Sequence, residues 1–143
     1  MVHVPHGETY AARRGGGAWL GERRLDVSPI TDPAVALIGT GFPFRETDQL
    51  DTYLEQFRRV AARTSGIRRP GSAALDLTDV AAGRVEAFWE QRLSAWDIAA
   101  GTLIVREAGG VVTDFHGRDV GVEHTGVVAG NRAMHAWLLE LLR

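Results

Sequence analysis

The sequence predicts an α/β fold, and three features carry that prediction. From position 34 onward, apolar runs of strand length alternate with helical segments, the pattern of a sheet covered by helices. Residues 48–64 show the clearest helical period, with Leu50, Tyr53, Leu54, Phe57, Val60 and Ala61 on one face. Between Asp97 and Arg106 no side chain is charged. A helix there is apolar nearly all round and belongs between layers.

Residues 1–30 read as short strands and turns. Val2 and Val4 alternate with His3, Pro5-His6-Gly7 signals a turn, and Thr9-Tyr10-Ala11-Ala12 is a second strand. Gly15-Gly16-Gly17 follows Arg13-Arg14 and invites comparison with a phosphate cradle. Such a cradle needs a helix after it. Ala18-Trp19-Leu20 and Arg23 to Val27 read instead as strands, so the glycines are expected in a β-turn. Pro29 to Pro33 makes a bend, and Ala34-Val35-Ala36-Leu37-Ile38 is a strand covered on both faces. The loop after it, through Arg45, lies at a strand's C-terminal end, where α/β sheets place binding sites.

The helix over 48–64 takes Thr47 as its cap and Ser65-Gly66 as its stop. Pro70 keeps the preceding Gly66-Ile67-Arg68-Arg69 extended. Arg68 and Arg69 read as solvated surface, with a phosphate contact as the alternative. Gly71-Ser72 opens a second helix that runs to Ala82 and ends at Gly83. Val85, Ala87 and Trp89 alternate with Glu86, Phe88 and Glu90, a period of two that ends on Glu90. Asp97 then serves as N-cap of the apolar helix, Gly109-Gly110 as its stop, and Gly101 marks close backbone packing inside it. On these residues alone Asp97 is a plain cap or a ligand, with the cap the simpler reading. Val111-Val112-Thr113-Asp114-Phe115 and Gly126-Val127-Val128-Ala129-Gly130 are strands, and Asn131 caps a final helix whose Met134, Trp137, Leu138 and Leu141 share a face.

Composition narrows the functional classes. A net charge of −2 gives no footprint for nucleic acid or an anionic membrane. Without cysteine, disulfides and thiolate metal sites are excluded. No apolar run nears the ~18 residues of a membrane span, and the first residues carry no signal core. Cytoplasm is the expected compartment. Nothing near His3 and His6 completes a metal-ligand set, and His116, His124 and His135 stand alone.

Several short motifs, in order along the chain, resemble one family. Trp96-Asp97-Ile98-Ala99-Ala100-Gly101 followed by Glu107-Ala108-Gly109-Gly110 is similar to the C-terminal signature of the inositol monophosphatase family. Arg13-Arg14-Gly15-Gly16-Gly17-Ala18 resembles its "RGGGA" hairpin, and Gly41-Phe42-Pro43-Phe44-Arg45 resembles a loop of its bacterial members. Arg69-Pro70-Gly71-Ser72-Ala73-Ala74-Leu75 resembles its "RxxGSAAL" segment, and Val127-Val128-Ala129-Gly130-Asn131 its last strand and helix cap.

The resemblance implies the C-terminal α/β domain of a layered αβαβα sugar-phosphatase fold over 34–143, preceded by antiparallel strands of the first domain over 1–33. It implies that Asp97 ligates magnesium and helps orient the attacking water. It implies that Glu90 contacts a substrate hydroxyl, and that the backbone of Gly71, Ser72 and Ala73 lies near the substrate. The family's metal-binding glutamate and "DPxDGT" motif do not occur in these 143 residues. Phosphate monoester hydrolysis is among the slowest uncatalysed reactions, and metal ions are what generate its nucleophile and stabilise its leaving oxygen. The expectation is a magnesium-dependent phosphomonoesterase chain with little or no activity alone. Its substrate is inositol monophosphate, with histidinol phosphate, fructose bisphosphate and adenosine bisphosphates as alternatives. Its macromolecular partner is the missing N-terminal half or a second copy. A non-catalytic remnant or interaction subunit is the competing expectation.

Overall fold

The computed structural model describes residues 1–43, 47–121 and 125–143. Thr47 is described in its backbone only. Phe44, Arg45 and His124, named above, lie outside the described residues.

The chain forms a mixed α/β structure of stacked layers. Strands β1 (Val2–His3), β2 (Glu8–Arg13), β3 (Gly17–Leu20) and β4 (Arg23–Arg24) make a four-stranded antiparallel sheet in sequential order. The first expected strand is cut short. Val4 enters a 3-10 turn with Pro5 at its start and Gly7, at φ 65°, at its end. The strand expected over 23–27 stops at Arg24, because Val27 N–H leaves the sheet to bond Ala108 O at 3.0 Å.

The second sheet has five strands in the order β6-β5-β7-β9-β8. They are β5 (Leu37–Thr40), β6 (Gly66–Arg68), β7 (Ala87–Leu93), β8 (Val111–Thr113) and β9 (Thr125–Gly130). β5 runs parallel to β6 and β7, and β9 runs antiparallel to β7 and β8. The strand expected at 34–38 begins later, because Asp32 caps a 3-10 turn at Pro33–Val35 by accepting from Ala34 N–H. The bend before it is fixed by buried polar contacts. Ser28 Oγ donates to Glu86 Oε1 at 2.8 Å, Leu37 N–H to Glu86 Oε2 at 2.6 Å, and Asn131 Nδ2 to the carbonyls of Ser28 and Ile30.

Helices α2 (Ala73–Ala81) and α3 (Ala95–Glu107) fill the space between the two sheets. A Cβ on Gly101 of α3 would stand 2.6 Å from the Leu77 side chain of α2, so only glycine permits this approach. Helices α1 (Leu50–Ala61) and α4 (Arg132–Leu141) cover the outer face of the second sheet. The alternation read on β7 is therefore not one of core and solvent. Phe88 joins the core toward α2 and α3, Ala87 and Trp89 join the core toward α1 and α4, and all are buried. The face of α1 is also rotated from the expected one. Tyr53 and Val60 are buried, Leu54 and Phe57 are exposed, and Gln56 takes the buried position by donating to Leu142 O and accepting from Gln91.

The cap of α3 differs in position. Ser94 is the N-cap, and Asp97 sits three residues in, its Oδ2 accepting the Ser94 N–H at 3.0 Å. The expectation that Asp97 itself caps is corrected: it returns to the cap residue's free N–H, as a capping-box acid does. The glycine turn at 15–17 is a hairpin turn as expected, and its amides do bind an anion, one from the chain itself. Gly15 and Gly17 N–H donate to Glu107 at 2.9 Å each.

Candidate functional site

Strand β5 and the parallel strand β7 end on the same side of the sheet, beside the starts of α2 and α3. A cleft of about 490 Å³ opens there. That size suits a small ligand. The cleft lies where open α/β sheets bind ligands, at the carboxyl ends of the parallel strands.

The cleft brings the expected site residues together. Gly41, Phe42 and Pro43 line it from the loop after β5, and Gly71, Ser72 and Ala73 from the start of α2. Glu90 lines it from β7 and Asp97 from the first turn of α3. Phe42 is held by an edge contact to Tyr53, with ring centroids 5.0 Å apart. A Cβ on Gly41 would overlap the Glu90 carboxyl group, so a larger residue there would displace that carboxyl group from its place in the cleft.

Glu90 is half-buried, and its pKa is pushed up from 4.5 to about 7, first by burial and then by the negative charge of Asp97; Arg69 opposes the shift. Near neutrality Glu90 can therefore donate or accept a proton. Arg69 also lines the cleft, so the phosphate-side alternative for that residue agrees with its place, whereas Arg68 ends β6 and does not line it.

The sequence reading missed Asp76. It is 3% exposed on α2, its Oδ2 has no partner, and its pKa is pushed up to about 7 by burial and then by Glu90 and Asp79. The available signal was positional: Asp76 falls on the same helical face as Ala73, Leu77 and Val80, where an apolar residue belongs. Asp114 and Glu107 lie away from the cleft. Asp114 closes the turn after β8 by accepting from the N–H groups of His116 and Arg118. The rings of His3, on β1, and His6, in the 3-10 turn after it, lie tilted to each other with centroids 4.3 Å apart, and His135 is buried against Thr113.

Asp97 fits the part of a magnesium ligand. That ion takes one or two carboxylates, with water and substrate phosphate completing its shell. One Asp97 oxygen is anchored on Ser94 N–H, and the repulsion between Asp97 and Glu90 is of the kind a bound cation relieves. Among the described residues no group of three or more His, Cys, Asp or Glu is arranged to hold a metal. The residues present fit a share of a metal site and not a complete one.

A model of the inositol monophosphatase family matches residues 1–143. The chain belongs to the inositol monophosphatase family. It is 51% identical over 138 residues to Nus factor SuhB of Pseudomonas aeruginosa, covering 95% of this chain and 51% of that one. It is 46% identical over 136 residues to inositol-1-monophosphatase of Mesorhizobium japonicum, covering 95% of this chain and 51% of that one. The crystal structure of extragenic suppressor protein SuhB from Bartonella henselae superposes with a TM-score of 0.94 at 43% identity, over 99% of this chain and 54% of that one. The chain thus spans about half the length of the relatives it matches. The layered α/β architecture is that of inositol monophosphatase family structures. No helix among the described residues is long and apolar enough to cross a membrane.

Proposed function

We propose that the cleft is one wall of a magnesium-dependent phosphomonoesterase site acting on inositol monophosphate or a related sugar or polyol phosphate. The observation that carries this reading is the convergence of Glu90, Asp97 and the turn at 71–73 in one cleft. Asp97 is the residue for the metal and for the hydrogen bond that orients the attacking water. Magnesium, when bound, would lower the pKa of a water and polarise the phosphoryl oxygens. Glu90 takes the substrate hydroxyl, and its half-neutral carboxyl at physiological pH suits either direction of that hydrogen bond. The first turn of α2 offers backbone N–H groups without intrahelical partners, which favour an anion.

The rest of the ligand set belongs to the family's glutamate and "DPxDGT" motifs, which these residues do not carry. The proposed macromolecular partner is a segment bearing those motifs, or a second copy of this chain, and the proposed compartment is the cytoplasm. Purified chain assayed with magnesium against inositol 1-phosphate and a panel of phosphomonoesters is expected to turn over little or nothing. Adding a polypeptide with the family's N-terminal half should restore magnesium-dependent turnover that Asp97→Asn abolishes. Turnover by the chain alone, lost in Asp97→Asn, would overturn the expectation of inactivity.

A second, non-catalytic reading has its own support. The relative named Nus factor SuhB is 51% identical, and Leu54, Phe57 and Trp96 leave apolar surface exposed. No turnover in the reconstituted pair would favour that interaction role.

A further inference from the structure

Asp76 lies under the anion-binding end of α2 and takes no part in the roles proposed for Glu90 and Asp97. It stands three residues after Ala73, so the two share a helix face, and Ala73 lines the cleft. The Asp76 N–H donates to Ser72 O at 2.8 Å, which fixes the residue in the first turn. Its side chain is 3% exposed, and Oδ2 meets no hydrogen-bond partner. The groups that act on the carboxyl are Glu90 from β7, Asp79 from the same helix, the Ser72 N–H, and Arg69 from the segment after β6. Ser72, Glu90 and Arg69 all line the cleft. Asp76 is thus shut off from water and set directly behind the cleft wall.

A buried carboxylate with an unmet oxygen is costly, and the cost disappears when it takes a proton. Burial, then Glu90 and Asp79, push the Asp76 pKa up to about 7. A phosphate group seated on the amides of this helix start and an ionised Asp76 use the same positive end of the helix. They also repel each other across an interior that screens charge poorly. Protonation of Asp76 removes that repulsion. By linkage, an anion on the turn must in return favour the protonated carboxyl.

We propose that Asp76 gates the anion-binding turn at 71–73: protonated, it lets the turn hold a phosphate group; ionised, it weakens that hold, so that binding takes up a proton. This rests on the reading of the turn as the seat of the substrate's phosphate.

Sulfate is the probe, because its charge does not change near neutrality. Calorimetric titration of the 143-residue chain, in buffers of different ionisation heat, reads affinity and proton uptake together. The wild type should bind sulfate about tenfold more weakly at pH ~8 than at pH ~6, a coupling of ordinary size, and should take up protons in between. Asp76→Asn should bind more tightly than the wild type at pH ~8 and lose most of the pH dependence. Glu90 also carries charge in this cleft, so Glu90→Gln is measured over the same pH series. With Asp76 intact, that variant should still take up protons on binding, and the double variant should take up none. Asp76→Asn with the wild-type pH dependence, or Glu90→Gln binding without proton uptake, would overturn the gate and leave the turn as an anion seat. Sulfate bound by neither the wild type nor Asp76→Asn at any pH would overturn the reading of the turn and this inference with it.

Discussion

A carboxyl group that is 3% exposed, with one oxygen lacking a partner, is costly to ionise, and Asp76 also feels the charge of Glu90. Its pKa rises from 3.8 to about 7 on folding, against the smaller opposing pulls of Ser72 N–H and Arg69. The sign follows from proton counts. Between those values the folded chain holds a proton that the unfolded chain has lost, so stability falls as pH rises. Glu90 acts in the same sense, from 4.5 to about 7. Asp76→Asn keeps the shape and removes the charge. Thermal melts across a pH series should show this variant above the wild type at pH ~8, with the gain shrinking toward pH ~5 as the wild-type carboxyl takes up its proton. A gain that is the same at every pH would mean that packing, not ionisation, sets the cost.

At the scale of elements, helix ends decide where the site residues stand. Asp97 is legible as a residue of a helix start, but the cap is Ser94. The pattern Ser94-Ala95-Trp96-Asp97 is the spacing of a capping box, and it is readable once the helix is begun at Ala95. The other end of α3 holds the hairpin of the first sheet, with Glu107 accepting from Gly15 and Gly17. Sequence showed Glu107 only as a charge near a helix end, because its partners lie far away along the chain. These bonds keep its pKa below the ordinary 4.5. A carboxylate depressed in this way stabilises the fold above its unfolded pKa, and that contribution is lost as pH falls through the folded value. Glu107→Gln should therefore melt below the wild type at neutral pH, and the two curves should converge in acid. Other elements were misread for a similar reason. The polar positions Gln56 and Glu86 are buried through distant partners, Leu142 and Ser28, and no local period encodes such a pairing.

For the whole molecule, the α/β class and the grouping of Glu90, Asp97 and the 71–73 turn were legible, because strand–helix alternation and local motifs carry them. The way the first sheet joins the rest was not. Division at residue 33 suits the strand pattern, yet Tyr10, Ala18 and Leu25 of the first segment share one core with Leu77, Phe88, Ile98 and Val105 of the second. A layer of helices buried between two sheets stabilises both at once. Leu25 is 1% exposed at this joint, and removing its side chain takes packing from both sides. Leu25→Ala should cost about 2–5 kcal/mol, the range for truncating a buried leucine. The cooperativity is the sharper test. Trp19 reports the first sheet and Trp89 the second, so variants retaining only one of these tryptophans can be followed by fluorescence in denaturant. If the core is one unit, both probes give the same midpoint, and Leu25→Ala moves both together. If the first sheet unfolds on its own, the Trp19 midpoint falls and the Trp89 midpoint stays. In that case the cleft, built from β5, β7, α2 and α3, would keep its geometry without the first sheet.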